Sequence, residues 1–221
     1  EIVVCNLDGS DRKIVASDPA HLFFGPVWSP DGEWLLYLDC HHVTDPGHDW
    51  ADLCIGRPDG SEHRKVTEGQ RHWFGTSYGG PKTRGSGSNM PRWSPNRNVC
   101  TYTRALPNSR TAWDYQIDRP DTDHFNREFD VERARGGTEI LLLNPFNGET
   151  ETLTHRDPDS KGRDCIWDFR TAWSPDGYQI AFCRSRTGEP SELWVMDTDG
   201  GNAKALAQGF EGLGVDHPVW I

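Results

Sequence analysis

The chain has no apolar run long enough to span a membrane. Its 221 residues contain nothing close to the about 18 consecutive apolar residues that a membrane-spanning helix requires, so no membrane insertion is predicted. Positive charge is also scarce, because 23 lysines and arginines stand against 34 aspartates and glutamates, a net charge of −11. Nucleic-acid binding needs a basic surface that neutralises phosphates. This balance therefore argues against a nucleic-acid partner.

The six cysteines contain no C-x-x-C pair and no zinc spacing. Several lie in apolar, strand-like runs such as residues 2–6 and 180–184, where a free thiol behaves as a small hydrophobe. Buried free thiols favour a reducing compartment. The chain begins with Glu1 inside such a run, so any signal peptide would lie upstream. These features lean towards the cytoplasm without deciding the localisation.

Helical periodicity is nearly absent, and a repeat takes its place. The segment VWSPDGEWLLYL begins at Val27, RWSPNRNVCTYT at Arg92 and AWSPDGYQIAFC at Ala172, and a further copy opens with HPVWI at His217. Between these copies, apolar runs are followed by turns rich in Asp, Asn and Gly and then by short alternating runs, which is the pattern of a β-hairpin. Each repeat therefore predicts four antiparallel strands, here called a, b, c and d in chain order.

A repeat of four strands over 47 residues, the interval between Trp173 and Trp220, is typical of a propeller blade. The sequence therefore predicts a single all-β domain, a β-propeller of four-stranded antiparallel blades, over residues 1–221. The predicted parts are a c–d hairpin (1–16), three full blades (26–69, 91–156 and 171–209) and a further strand a (217–221). The chain thus opens at strand c of one blade and ends after strand a of another. This arrangement fits either a fragment of a longer propeller or a small propeller with a defective closing blade.

The long connections all fall on one face of this predicted propeller. In antiparallel blades the a–b and c–d turns share one face, and the b–c and d–a loops share the other. The four longest segments, residues 39–51, 69–91, 104–137 and 156–171, are all b–c or d–a loops. A rigid scaffold that presents long loops on one face is a common way to build a binding site, so we expect function on this long-loop face.

The composition of these loops suggests an anionic or carbohydrate ligand. Residues 69–91 contain three cations and no acid in an acidic protein. The predicted catalytic residues are His72, His124 and Arg71, and the predicted ligand-binding residues are Trp73, Tyr78, Lys82, Arg84, Arg110 and His217. Arginine binds carboxylate or phosphate through two parallel hydrogen bonds, and the aromatic rings offer stacking surfaces for a sugar. Residues 39–50 hold three histidines and three aspartates, a donor set that suits a divalent metal ion, although the spacing matches no defined motif.

The W-S-P-D-G strand, followed by sequences such as LWVMDTDGGNAKAL, resembles the TolB-like (WD40-like) propeller repeat over nearly the whole chain outside the insertions. The resemblance implies a six- or seven-bladed propeller and leaves a periplasmic location open. Oligogalacturonate lyases, a group of polysaccharide lyases, use the same repeat. Their family metal site includes a Gln-x-x-His-x-His cluster, of which this sequence has only Gln70-x-His72.

Two functional hypotheses follow. The first is a TolB-like propeller that binds a sugar, a peptide, an anionic group or a protein partner on the long-loop face. The alternative is a carbohydrate-active enzyme, a lyase of the oligogalacturonate type acting on acidic oligosaccharides, for which a divalent metal cofactor stays open. A pure protein scaffold would need an apolar groove rather than polar loops.

Overall fold

Antiparallel β-strands supply nearly all the regular structure of the protein. The computed structural model describes residues 1–41, 50–68, 76–82, 85–87, 89–115, 127–208 and 213–221. The strands of these ranges are β1 (Ile2–Val4), β2 (Lys13–Ala16), β3 (Leu22–Trp28), β4 (Leu35–His41), β5 (Trp50–Gly56), β6 (His63–Lys65), β7 (Thr76–Tyr78), β8 (Gly85–Gly87), β9 (Arg92–Trp93), β10 (Cys100–Ala105), β11 (Trp113–Tyr115), β12 (Arg127–Phe129), β13 (Gly137–Leu143), β14 (Thr150–Thr152), β15 (Ile166–Trp173), β16 (Gln179–Arg186), β17 (Glu192–Asp197) and β18 (Lys204–Ala207). Two single 3-10 turns, Val131–Arg133 and Gly162–Asp164, lie between them.

These strands pair as three four-stranded antiparallel blades and a preceding hairpin. Blade 1 has the order β3-β4-β5-β6, blade 2 the order β9-β10-β13-β14, and blade 3 the order β15-β16-β17-β18, while β1 pairs with β2. The first two residues of β13 also pair in parallel with the first two of β15, which joins blades 2 and 3 in one eight-stranded sheet. The hairpins β7–β8 and β11–β12 lie in the long insertions. The predicted all-β architecture of four-stranded antiparallel blades is therefore confirmed. Within the described ranges, no helix is long and apolar enough to cross a membrane.

The S-P-D-G segment forms the turn between strands a and b because its side chains hydrogen-bond the turn's own backbone. In blade 3 the Ser174 hydroxyl donates to Asp176 Oδ1 at 2.6 Å and accepts from the Gln179 amide at 2.9 Å. The Ser174 hydrogen bond is the main reason that the pKa of the Asp176 carboxyl lies below its usual value. Blade 2 carries Asn96 in place of the aspartate, and its Nδ2 donates to the Asp176 carbonyl at 2.9 Å. The turn that departs from the motif thus links two blades.

The repeat tryptophans form a ladder of hydrogen bonds from blade to blade. Each indole N–H donates to the backbone carbonyl of the residue that precedes the tryptophan of the previous repeat. The ladder comprises Trp93 to Val27 at 3.3 Å, Trp173 to Arg92 at 3.1 Å and Trp220 to Ala172 at 3.0 Å. Trp28, the first of the series, is 51% exposed. The tryptophans thus occupy equivalent places at the ends of the innermost strands, although residues 217–221 form no strand in the described structure.

The apolar core lies between successive blades rather than within one of them. One cluster joins blades 1 and 2 and includes Leu36, Ile55 and Leu141. A second joins blades 2 and 3 through Ile140 and Phe182. A third packs the β1–β2 hairpin against blade 1. Side chains on both faces of a central blade are therefore buried, which explains the continuous apolar runs of strands b and c.

Candidate functional site

The long-loop face carries a layer formed by the insertions. Residues 104–137 and 69–91 are joined where the Trp113 indole donates to the Gly79 carbonyl at 3.1 Å. A Cβ atom at Gly80 would lie 2.6 Å from the Gly188 carbonyl oxygen, so the backbones of residues 69–91 and of the β16–β17 loop are in direct contact. Only glycine permits this approach.

The third long segment joins the same layer. Arg135 forms isolated backbone bridges with both Arg110 and Lys161, and the Gly162 amide donates to the Ala134 carbonyl at 2.9 Å. Beneath them lies a small apolar cluster that includes Ala134, Cys165, Trp167 and Phe169. The described parts of segments 69–91, 104–137 and 156–171 therefore pack together above blade 3, as loops on one face of a propeller can.

A buried ionic cluster supports this layer. The Asp168 carboxylate, 0% exposed, accepts from Arg156 Nε at 3.0 Å and from Arg184 Nε at 2.7 Å. The Arg156 amide also donates to Glu139 Oε1 at 3.1 Å, and the Arg184 guanidinium lies 4.2 Å above the centre of the Trp194 ring. Buried charges persist only when they are paired and hydrogen-bonded. This cluster meets that condition and holds the d–a loop before blade 3 against strands a and b.

The charge at one repeat position differs from blade to blade. Eleven residues after each repeat tryptophan stand Asp39, Arg104 and Arg184. Arg104 pairs across the strands with Glu139, with a guanidinium-to-carboxylate distance of 3.0 Å. In blade 1 the cross-strand neighbour of Asp39 is another carboxylate, Asp52. Blade 1 therefore carries two opposed carboxylates where blade 2 carries an arginine–glutamate pair.

The two carboxylates of blade 1 are balanced by cationic or ionisable neighbours. His21 Nδ1 lies 2.7 Å from Asp39 Oδ1, and Lys65 Nζ lies 3.4 Å from Asp52 Oδ2. Burial, helped by the Asp39 and Asp52 charges, raises the pKa of the nearby Cys54 thiol to about 12. An Asp39–His21 contact fixes the imidazole orientation, as in other Asp–His pairs.

A third polar group lies on the innermost strand of blade 3. The Arg170 side chain, 5% exposed, forms an ion pair with Asp216 Oδ1, and its Nη1 lies 3.0 Å from His217 Nδ1. His217 is 70% exposed. Burial, followed by the Asp216 charge, raises the pKa of the adjacent Cys183 thiol to about 12. The thiol therefore stays protonated and does not act as a nucleophile at neutral pH.

The predicted site residues are only partly described. Arg71, His72, Trp73, Arg84 and His124 lie outside the described residues. The Tyr78 backbone belongs to β7, and Lys82 and Arg110 are exposed. His217 is the one predicted residue for which a side-chain partner, Arg170, is described. Among the described residues no hydrogen bond or ion pair joins Lys82, Arg110 and His217 to one another.

Several polar residues of this face were missed from the sequence. Arg170 stands three residues before Trp173, as His217 stands three residues before Trp220, so the repeat register could have found it. Asp168, Arg156 and Arg184 carry no comparable signal, because their pairing depends on the packing of a loop against a blade.

One sequence pattern of this region matches a catalytic motif whose geometry the structure does not form. Residues 75–79 read Gly-Thr-Ser-Tyr-Gly, which matches the G-x-S-x-G pattern of a nucleophile elbow. An elbow requires a strand, a sharp turn and a helix. Here Thr76–Tyr78 form β7, which pairs with β8 in a two-stranded hairpin. The pattern therefore does not form a nucleophile elbow.

The metal hypothesis finds no support in the described part of the chain. Across those ranges, no three or more His, Cys, Asp or Glu side chains are grouped so as to hold a metal ion. Most of the histidine-rich segment 39–50 lies outside them.

Comparisons with known proteins bear on the fold. No protein-family model matches the chain. A 48-residue segment, 22% of the chain, is 42% identical to the uncharacterized peptidase YuxL of Bacillus subtilis (strain 168) and covers 7% of that protein.

Solved structures are similar over most of the chain. An oligogalacturonate lyase in complex with manganese is 11% identical, with a TM-score of 0.53, over 95% of this chain and 50% of that chain. An oligogalacturonate lyase from Vibrio parahaemolyticus is 15% identical, with a TM-score of 0.54, over 91% and 44%. A structure from an analysis of two prolyl endopeptidases is 15% identical, with a TM-score of 0.54, over 91% and 25%.

The chain folds as a β-propeller. At these identities the similarity establishes the fold alone, and lyases and peptidases share it. The chain spans half or less of the length of these proteins.

Proposed function

We propose that the propeller binds an anionic ligand on its long-loop face, with an acidic oligosaccharide as the first candidate. The observation that carries this proposal is a set of exposed cations on that face without an acidic partner among the described residues. They are Lys82, Arg110, Arg135, Lys161, Arg163 and Arg186. Lys82 belongs to segment 69–91, segments 104–137 and 156–171 contribute two cations each, and Arg186 ends β16.

These cations stand out because the protein as a whole is acidic, with a net charge of −11. Exposed cations attract an anion locally, and on this face they stand beside exposed carboxylates such as Asp130, Asp157 and Asp164. Arginine in particular recognises carboxylates by paired hydrogen bonds. The predicted residues Arg71, His72, Trp73 and Arg84 belong to the same insertions and are proposed as further ligand contacts.

The choice of an acidic oligosaccharide follows from the chemistry of the similar proteins. Two of the similar structures are oligogalacturonate lyases, whose named substrate is a chain of sugars that each bear a carboxylate. The peptidases among the similar proteins make a peptide ligand the competing choice. The TolB-like resemblance of the repeat is compatible with either ligand.

The alternative proposal is that the same face performs the lyase reaction on acidic oligosaccharides. Polar groups suited to proton transfer and charge stabilisation lie on this face, among them the Asp39–His21 pair at 2.7 Å. In this reading His72, His124 and Arg71 supply catalytic groups. The formation of an unsaturated uronide, detected by its ultraviolet absorbance, distinguishes this alternative from binding alone.

Calorimetric titration with trigalacturonate, its neutral methyl ester, and one acidic and one neutral tetrapeptide tests the proposal. We expect trigalacturonate to bind and its ester to bind more weakly, with an affinity that falls as salt is added because exposed charges are screened beyond about 8 Å at physiological ionic strength. Arg110→Ala and Arg163→Ala should each weaken binding. Arg12→Ala, an exposed arginine in the β1–β2 turn on the opposite face, is the matched control. Equal binding by the acid and its ester, or an equal loss with the control, would contradict the proposal.

A further inference from the structure

The position three residues before each repeat tryptophan has a special backbone. It is occupied by Gly25, Met90, Arg170 and His217. Three of these four residues have a left-handed backbone, with φ of +66° at Gly25, +53° at Arg170 and +51° at His217. In blades 1 and 3 a register shift of strand a spans this position, between Phe24 and Val27 and between Phe169 and Ala172. In blades 1 and 3 the left-handed residue therefore lies within a strand bulge.

Glycine adopts this conformation without strain, whereas arginine and histidine do not. Blade 1 uses the residue that suits the backbone. Arg170 and His217 keep a strained backbone instead, and strained residues of this kind concentrate at functional sites. The side chains at these two positions therefore have a role that glycine would not fulfil.

Residues at this position contact their counterparts in the next repeat. A Cβ atom at Gly25 would overlap Met90 Cε, and Arg170 Nη1 lies 3.0 Å from His217 Nδ1. The two contacts are equivalent by the repeat, but one is apolar and the other is polar. Because strand a is the innermost strand of each blade, these residues line the inner side of the propeller.

The hydrogen-bond roles at the polar contact follow from the chemistry of the groups. Arginine has donors and no acceptor, so Arg170 Nη1 donates to His217 Nδ1. The neutral imidazole then carries its proton on Nε2. The His217 side chain is 70% exposed, while the Arg170 side chain behind it is 5% exposed and held by Asp216. The exposed imidazole therefore offers an N–H donor to solvent, and the Arg170–Asp216 ion pair lies behind it, with Asp216 Oδ1 3.5 Å from His217 Nδ1.

We propose that Arg170 and His217 form a recognition site on the inner wall of the propeller, in which the Nε2–H of His217 donates to a carboxylate oxygen of the ligand. Arg170 is a positioning residue that selects the imidazole tautomer, and its own charge is paired with Asp216. This inference rests on the proposed function, since it assigns specificity residues to the same anionic ligand. It also explains why blade 3 has an arginine, which is strained in the left-handed conformation, where blade 1 has a glycine.

The test uses variants that keep the backbone acceptable. His217→Gly removes the donor and suits the left-handed conformation, as Gly25 does. His217→Gln restores both an oxygen acceptor for Arg170 and an N–H donor for the ligand. His155→Ala, which removes another exposed imidazole of the long-loop face, is the matched control. Affinity for trigalacturonate and melting temperature are measured for the wild type and all three variants.

We expect His217→Gly to lose about tenfold or more in affinity for trigalacturonate, since a charge-assisted hydrogen bond is removed. His217→Gln should recover most of that loss, and His155→Ala should bind like the wild type. The melting temperature of His217→Gly should not fall. Unchanged affinity in His217→Gly, with or without a lower melting temperature, would mean that the contact only fastens residues 213–221 and would overturn the assignment. Failure of the wild type to bind trigalacturonate or its ester would refute the proposed function first, and this assignment with it.

Discussion

Removing one indole N–H tests whether the tryptophan ladder couples the blades. In Trp173→Phe the aromatic ring is retained, but the donor to the Arg92 carbonyl, at 3.1 Å, is lost. Trp173 is buried at 9% exposure. The Thr101 hydroxyl, at 3.4 Å, remains as a longer partner of the same carbonyl.

The magnitude follows from two losses. A buried hydrogen bond contributes about 1–1.5 kcal/mol, and the missing part of the indole leaves a cavity that costs about 1–1.5 kcal/mol. We therefore expect Trp173→Phe to lower the free energy of unfolding by about 2–3 kcal/mol. For a domain of this size that corresponds to a melting temperature lower by about 4–12 °C.

Trp28→Phe is the matched control. Trp28 has the same place in the repeat, but it is 51% exposed and has no ladder acceptor among the described residues. Its replacement should change the free energy of unfolding by no more than about 0.5 kcal/mol. Urea unfolding followed by far-ultraviolet circular dichroism, which does not depend on tryptophan fluorescence, compares the two variants. Equal destabilisation by both would refute the idea that the ladder hydrogen bond carries the effect.

Three further predictions concern charges and thiols. Asp168→Ala leaves two partly buried guanidinium groups without their carboxylate, so we expect a loss of about 3–5 kcal/mol in unfolding free energy by urea titration; a loss below 1 kcal/mol would contradict it. Ser174→Ala removes the hydrogen bond that chiefly lowers the pKa of Asp176 below 3.8. The wild type should therefore be more stable than the variant above pH 3.8, and the part of this advantage that depends on ionised Asp176 should vanish as the pH falls through the depressed pKa. A difference in melting temperature that is the same at every pH would refute this prediction. Cys5 is the one exposed cysteine, and burial raises the pKa of Cys183 to about 12. A thiol reagent should therefore label about one thiol per native chain at neutral pH and all six after unfolding. Rapid labelling of several thiols in the native protein would contradict the buried positions of the other five.

The blades were predictable because their signals are local. The turn at Ser174 and Asp176 is closed by hydrogen bonds between residues two to five apart, and strand alternation depends on nearest neighbours. The equivalence of Trp93 and Trp173 followed from their identical contexts. Segment 217–221 was predicted as a strand from the same context, but strand pairing needs a hydrogen-bonded neighbour, and none is formed there among the described residues.

The candidate site was only partly predictable. His217 was predicted as a ligand contact because it precedes a strand a on the long-loop face, while Arg170 was overlooked because it lies inside a strand. The composition of the insertions predicted cations on the long-loop face, which remains a prediction for Arg71 and Arg84. It did not indicate that Arg156 and Arg184 would form ion pairs with the buried Asp168, leaving other cations exposed.

By itself, the sequence determined the repeat unit, the strand order within a blade and the face on which the long connections emerge. These properties follow from side-chain periodicity, turn chemistry and the alternation of antiparallel strands, all of which act over a few residues. Only the tertiary structure decided which charges meet. Arg170 and His217 are 47 residues apart, and Arg104 and Glu139 are 35 apart. Such contacts depend on how blades and insertions pack against one another, because the same residue type is an ion-pair partner when buried beside a carboxylate and a free ligand contact when the packing leaves it exposed.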